Sequence, residues 1–427
     1  MIEYEDIRLK TQFGDVGVLS FKEKEFLRSL AKKVKEIANK PCQQEKILLW
    51  KKHNSLQKVR PMVLSFPEGA WQELIPYSSL QIEDPFWRSY EYYLKRLIYR
   101  GERIFDDNVV EAVIEVPLIY FNSGWGIESA KQTKTSERGA AVWEPVLKEC
   151  NDIKKLKYPK IIVDYILTQR NIDAVSEVFG DILLVKVKRD INIDISLIGV
   201  LVRWRGIENL MIDMIDNPRW VHEIMELMQK GTIKLMDYIE NNVEMDLNNG
   251  NDYVGSGGVG YSDELGTTSA LKEKVGYKNL WGRAESQDYD IISPSMYDEF
   301  AVQYQIPLLE RFGLNCYGCC ESLDKKFDIV KRIPKLRRVS VSPWTNISIA
   351  TEKLQDKYIF SWKPNPAQLV EGFDQPSLKK EITRTLDVTK GCIVEMILKD
   401  THTVNNHPER IEMWVKLAKD AAMEGYK

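Results

Sequence analysis

The sequence predicts an α/β protein, a (β/α)8 TIM barrel carrying an N-terminal helical extension. Three observations predict it. Short apolar, β-branched runs alternate with helical stretches in the order strand, loop, helix, about six to eight times along the chain. The ends of those runs gather tryptophan, glutamate, cysteine, lysine and histidine, as the C-terminal rim of a barrel does. The fingerprint of a doubly wound nucleotide-binding fold is missing: Gly255, Gly257, Gly258 and Gly260 do not open an apolar helix with the required spacing. On this reading residues 1–108 form a mostly helical extension packed on the barrel, and 109–427 form the barrel.

Each element has its own signal. Over 21–40, Phe26, Leu27, Leu30, Val34 and Ile37 recur at the spacing of one helix face, and the opposite face is rich in Lys and Glu. Residues 60–71 turn β-like between prolines, and 85–104 return to a helix with Trp87, Tyr90, Tyr93 and Leu97 on one face. The run 109–121 reads as a strand ending in the glycine loop that holds Trp125. Residues 151–180 read as helical with a break near Pro159, and 181–189 as a strand. Asn217-Pro218 caps a fresh helix. Residues 251–260 read as a short strand with a glycine loop. The runs 277–285, 314–320, 336–341, 357–362 and 392–398 are strands, separated by helices that start at Ser293-Pro294 and near Ile347, with a last one near Pro408.

Composition narrows the class of function. A chain of 427 residues with 44% hydrophobic and 29% charged residues can bury a large core as an ordinary globular protein. Sixty basic residues against 63 acidic give a net charge of −3, which points to neither nucleic acid nor an anionic membrane. No apolar run is long enough to span a bilayer, and residues 1–10 lack an apolar signal core. A cytoplasmic protein is expected, in which thiols stay reduced and clustered cysteines serve metal binding or catalysis. A homodimer is compatible with such a chain.

Three of the six cysteines, Cys316, Cys319 and Cys320, lie within five residues at a strand end. Cys319 or Cys320, His402 beyond the final strand and a carboxylate from Glu285 or Glu321 would make a catalytic zinc set with an open position. Neighbours on a strand face opposite ways, so both cysteines serve together only if the strand has already ended. The bland alternative is a set of small apolar side chains under loops. Trp125, Trp281, Trp344 and Trp362 either cap the core or wall an apolar pocket. Glu285 and Lys363 stand at strand ends as acid, base or anion-binding groups. His53 and His222 read as solvated, and His407 as a cap before Pro408.

Four stretches together resemble the uroporphyrinogen decarboxylase superfamily: the helix start at 213–218, Ser293-Pro294 before a helix, Gly318-Cys319-Cys320-Glu321, and the final strand with its polar tail. The similarity spans roughly 60–422 at the level of pattern. It implies a (β/α)8 barrel and either a decarboxylase without metal or a zinc methyltransferase serving a corrinoid protein. The arginine-bearing loop of the decarboxylases has no match near Arg60. The methyltransferase branch holds zinc with a His-x-Cys pair and a late cysteine; here Tyr317-Gly318-Cys319-Cys320 and His402 stand in those places. The sequence looks nearest to members that demethylate methoxylated aromatics. The resemblance thus implies zinc on Cys319, Cys320 and His402, with Glu285, Glu321 and Lys363 as polar catalytic groups. Trp125, Trp281, Trp344 and Tyr317 would line the pocket of a small methyl donor, and a corrinoid protein would be the partner. Its alternatives are a metal-free lyase using His402 and Lys363, and a non-catalytic barrel binding a tetrapyrrole or a corrinoid partner.

Overall fold

In a computed structural model, residues 16–127, 132–134, 141–267 and 274–425 are described. Residues 1–10, read above for a signal core, lie outside them. The apolar runs become strands: β1 Met62–Ser65, β2 Val113–Pro117, β3 Leu184–Lys188, β4 Trp281–Ala284, β5 Leu314–Tyr317, β6 Leu336–Val341, β7 Ile359–Trp362 and β8 Ile393–Leu398. Six form one parallel sheet in the order β1-β8-β7-β6-β5-β4. The first strand therefore pairs with the last, Met62 against Glu395 and Ser65 against Leu398. β2 and β3 form a separate parallel pair.

The expectation of a closed eight-stranded barrel is corrected here. Of these eight strands the ladder joins six and, apart from them, two. Side chains replace it at both gaps. Beyond β1, the Asp107 carboxylate accepts from Val63 N–H at 2.9 Å and Asp106 from Ser65 N–H at 3.0 Å. Before β4, the Asn248 amide accepts from Trp281 N–H at 2.8 Å and donates to Trp281 C=O at 3.0 Å. A buried edge must have its amides satisfied somehow, and these three side chains do it without a neighbouring strand. Because β1 lies before residue 108, the division expected there does not follow the sheet.

Two helices precede the sheet. α1, Phe21–Ala38, starts at a capping box between Ser20 and Glu23 and buries Leu27, Ala31, Val34 and Ile37, much of the expected face. It packs with α3, Pro85–Tyr99, in a cluster around Phe86, Trp87 and Phe179. α2, Pro41–Asn54, sends its last two side chains into the sheet interior. His53, read as solvated, is 1% exposed there. The helix expected over 151–180 begins only at Tyr165, because Ile161–Val163 pairs antiparallel with Tyr120–Asn122.

Residues 251–260 are not a strand. They keep one isolated bridge, Tyr253 to Val259, and thread along the inner face of the sheet. Gly257 sits at φ +100° with Ile397 where a Cβ would be, 2.6 Å away, so only glycine fits. Asn54 fastens the segment by donating to the carbonyls of Val259 and Tyr261 at 2.9 and 2.8 Å. No helix among the described residues is long and apolar enough to cross a membrane.

Beside this segment lies a buried charge cluster. Glu395 accepts from Arg338 Nε at 2.8 Å and Nη2 at 3.1 Å, pairs with His53 Nε2 at 3.2 Å, and accepts from the Ser361 hydroxyl. Arg338 also donates to Asn54 at 2.8 Å. Burial would raise the Glu395 carboxyl, but Arg338 and His53 outweigh it and hold it down to about 2. This depressed value adds stability that is full above the ordinary 4.5 and lost as pH falls through about 2. Glu395→Ala strands a buried guanidinium, and urea unfolding should report a loss of about 3–5 kcal/mol; the paired replacement Arg338→Met with Glu395→Leu should recover most of it.

Candidate active site

All six strands of the main sheet deliver their C-terminal ends to one edge, and the thiols lie there. β5 stops at Tyr317 because Gly318 turns to φ +93°, with Ser340 only 3.2 Å from where a Cβ would stand. The strand has therefore ended before the cysteines, which frees both side chains to point the same way. Their sulfurs are 3.7 Å apart. Cys319 Sγ also accepts from Ser256 Oγ at 3.3 Å and from Lys399 Nζ at 3.6 Å. Lys399, next after β8, donates to Ser256 Oγ at 3.3 Å and pairs with Asp400 Oδ2 at 3.1 Å. Cys320 Sγ faces Asp400 Oδ2 at 3.8 Å.

This arrangement sorts the two thiols. The Cys320 hydrogen bond, opposed by burial and helped by Lys399, Ser256 and Arg283, pulls Cys319 down to about 5. Cys320, as donor to Cys319 and partly buried, is pushed above the ordinary thiol range. Burial works against the Lys399 charge, yet Cys319, Tyr253 and Asp400 raise its pKa. The result is a thiolate beside an ammonium, the setting that makes cysteine nucleophilic at neutral pH.

Two carboxyls complete the rim. Glu321 is 1% exposed and clamps the backbone, accepting from Cys319 N–H at 2.8 Å and Ser286 N–H at 3.0 Å. Burial raises its pKa. Glu285 lines the cavity, and burial together with Glu321 pushes it up to about 8. Tyr317 lies beneath, its hydroxyl bonded to Ser286 at 3.1 Å, Tyr297 at 2.9 Å and Gln305 at 3.1 Å. It supports the rim from below and does not line the cavity.

A cavity of about 610 Å³ opens at this edge, with Ser256, Arg283, Glu285 and Lys399 on one side and Phe66, Tyr253 and Trp281 among its aromatic walls. Of the tryptophans expected to wall the pocket, Trp281 does so, its indole donating to Gly260 C=O at 2.9 Å. Trp125 lines a separate space of about 90 Å³ and meets Trp204 edge-on at 5.9 Å. Trp344 is 67% exposed, outside the cavity. Lys363 is buried to 3% exposure and donates to Ser361; burial brings its ammonium down to about 7.

The zinc set implied by the resemblance is not assembled. Two thiolates on a tetrahedral zinc stand about 3.8 Å apart, and the observed sulfurs match that spacing. The third corner fails. His402 is exposed, and among the described residues no hydrogen bond or ion pair joins its ring to either sulfur. Its backbone instead packs against Gly69, 2.8 Å from where a Cβ would stand. Among the described residues no three His, Cys, Asp or Glu side chains come together as a metal group. Lys399 supplies the positive charge at the thiols. Sequence reasoning missed Lys399, Ser256 and Arg283; the only available signal was that each adjoins a strand end or a glycine run.

No protein-family model matches the chain, and no curated protein matches it. Among solved structures it is similar to a methyltransferase from Methanosarcina mazei, at 11% identity over 89% of this chain and 98% of that one, with a TM-score of 0.47. At that level the likeness bears on neither the fold nor the function argued here.

The thiol assignment has a direct readout. The rate of Cys319 alkylation by iodoacetamide should reach half its plateau near pH 5, not near 9.0, with the label located by peptide mass spectrometry. Cys320→Ala should move that midpoint upward by more than Lys399→Met does, since the Cys320 bond is the larger cause.

Proposed function

We propose that the chain is a methyltransferase that takes a methyl group from a small methylated molecule by way of Cys319. The observation that carries the reading is the Cys319 sulfur, held as a thiolate by Cys320, Ser256 and Lys399, the last two of which line a partly aromatic cavity. A thiolate is a soft nucleophile suited to a saturated carbon. A methyl ether or ester is a poor electrophile until its leaving oxygen is protonated, and Glu285 holds a proton at neutral pH. In the transfer, the Cys319 lone pair forms the S–CH3 bond and the C–O bond breaks. The proton of Glu285 passes to the departing oxygen, leaving Glu285 ionised. Glu321 positions both groups through the backbone of Cys319 and Ser286.

A corrinoid protein as onward acceptor of the methyl group rests on the sequence resemblance, and a methoxylated aromatic donor on the same resemblance together with the aromatic walls. No step is assigned to zinc, because the described residues do not bring its ligands together.

Incubation with methyl-labelled methoxyarenes should leave label on Cys319, seen as a gain of one CH2 on its peptide, and Cys319→Ser should abolish it. Label transfer undiminished in Cys319→Ser would overturn the reading. Because Glu285 acts while protonated, the transfer rate should fall as pH rises through about 8, and Glu285→Gln should lower it roughly a hundredfold and flatten that limb.

A further inference from the structure

The cavity holds four cationic side chains, and three of them are matched. Arg100 pairs with Asp106 at 3.2 Å, Lys188 with Glu115 at 3.4 Å and with Asp252, and Lys399 with Asp400 at 3.1 Å. Arg283 differs. It stands on β4 opposite Cys316 of β5, half-buried, and Nη1 donates to the carbonyl of Gly255 at 3.1 Å. Among the described residues no carboxylate pairs with it. A guanidinium carries five N–H donors in a planar fork; Arg283 lines the cavity, and among the described residues only its Nη1 donates a hydrogen bond.

We propose, building on the methyl-transfer reading, that the small molecule bound here carries a carboxylate and that Arg283 grips it. The guanidinium is near enough to act on the Cys319 sulfur and the Tyr253 hydroxyl, so a carboxylate held by it brings the rest of the molecule against the thiol. Six of the acids that share the cavity do not forbid this. Glu285 is neutral below about 8, burial and Asp400 raise the Glu68 pKa, and Glu115, Asp252 and Asp400 are balanced by the lysines above. Asp194 faces Arg203 at 3.7 Å. A planar, two-pronged oxyanion suits the fork better than a neutral amide of the same shape.

The test compares iodoacetate with iodoacetamide as alkylating agents for Cys319 in the full chain, at about pH 7, where the thiol is ionised and Glu285 holds its proton. Relative to free cysteine, the anionic reagent should be favoured roughly tenfold, and Arg283→Met should erase that preference, read as the ratio of the two rates within each protein. No preference in the parent protein, or an equal preference in Arg283→Met, overturns the carboxylate clamp while leaving the thiolate intact. If Cys319 reacts with neither reagent, the methyl-transfer reading falls and thermal shift decides the clamp. Stabilisation by para-methoxybenzoate but not para-methoxybenzamide, lost in Arg283→Met, upholds it; equal shifts or none reject it.

Discussion

A single buried carboxylate ties the molecule together. Glu395 sits on the last strand and is reached by Arg338 from β6, Ser361 from β7 and His53 from the second helix. A lone charge at that depth would cost several kcal/mol, so each partner is obligatory once the others are present. The cluster also fixes chain topology. It holds α2 against the inner face, next to the place where β1 pairs with β8, and so locks the start of the chain to its end. The edge on which Cys319, Lys399 and Glu285 gather depends on that lock, because those residues come from three different strand ends.

The thiol site follows from one backbone event. If β5 continued past Tyr317, Cys319 and Cys320 would face opposite sides of the sheet. The turn at Gly318 ends the pleat early and brings the sulfurs into contact. Contact then divides their chemistry, one as donor and one as acceptor. Lys399 reinforces the division from β8, and Glu321 anchors the turn by taking up its amide. An ammonium and a thiol hydrogen bond thus stand together at the Cys319 sulfur.

Much of the strand pattern was legible, because β4 to β8 are apolar runs closed by proline, glycine or charged residues. The separation of β2 and β3 from the rest was not, since Asp106, Asp107 and Asn248 look like ordinary loop residues until their amide partners are seen. The segment 251–260 imitates a strand, but its glycines answer to Ile397 and its other neighbours rather than to a turn. Cys319, Cys320 and Glu285 were expected just past strand ends from type and position, and they stand there. Lys399 lies three residues before His402, and choosing between them required knowing where the chain leaves β8. Glu395 had left a trace, a single acid inside an otherwise apolar strand, and Arg338 a similar one.

The threaded glycine segment has a consequence for biogenesis. Its walls come from Asn54 and Phe66, which precede it in the chain, and from Ile397, which follows it. During synthesis the ribosome releases the Ile397 wall long after Asn54 and Phe66 have emerged. Until then the segment has half a sheath, and its backbone remains open to water. Seating it therefore waits for β8, and the chain's vulnerability to proteases and chaperones should concentrate in that interval.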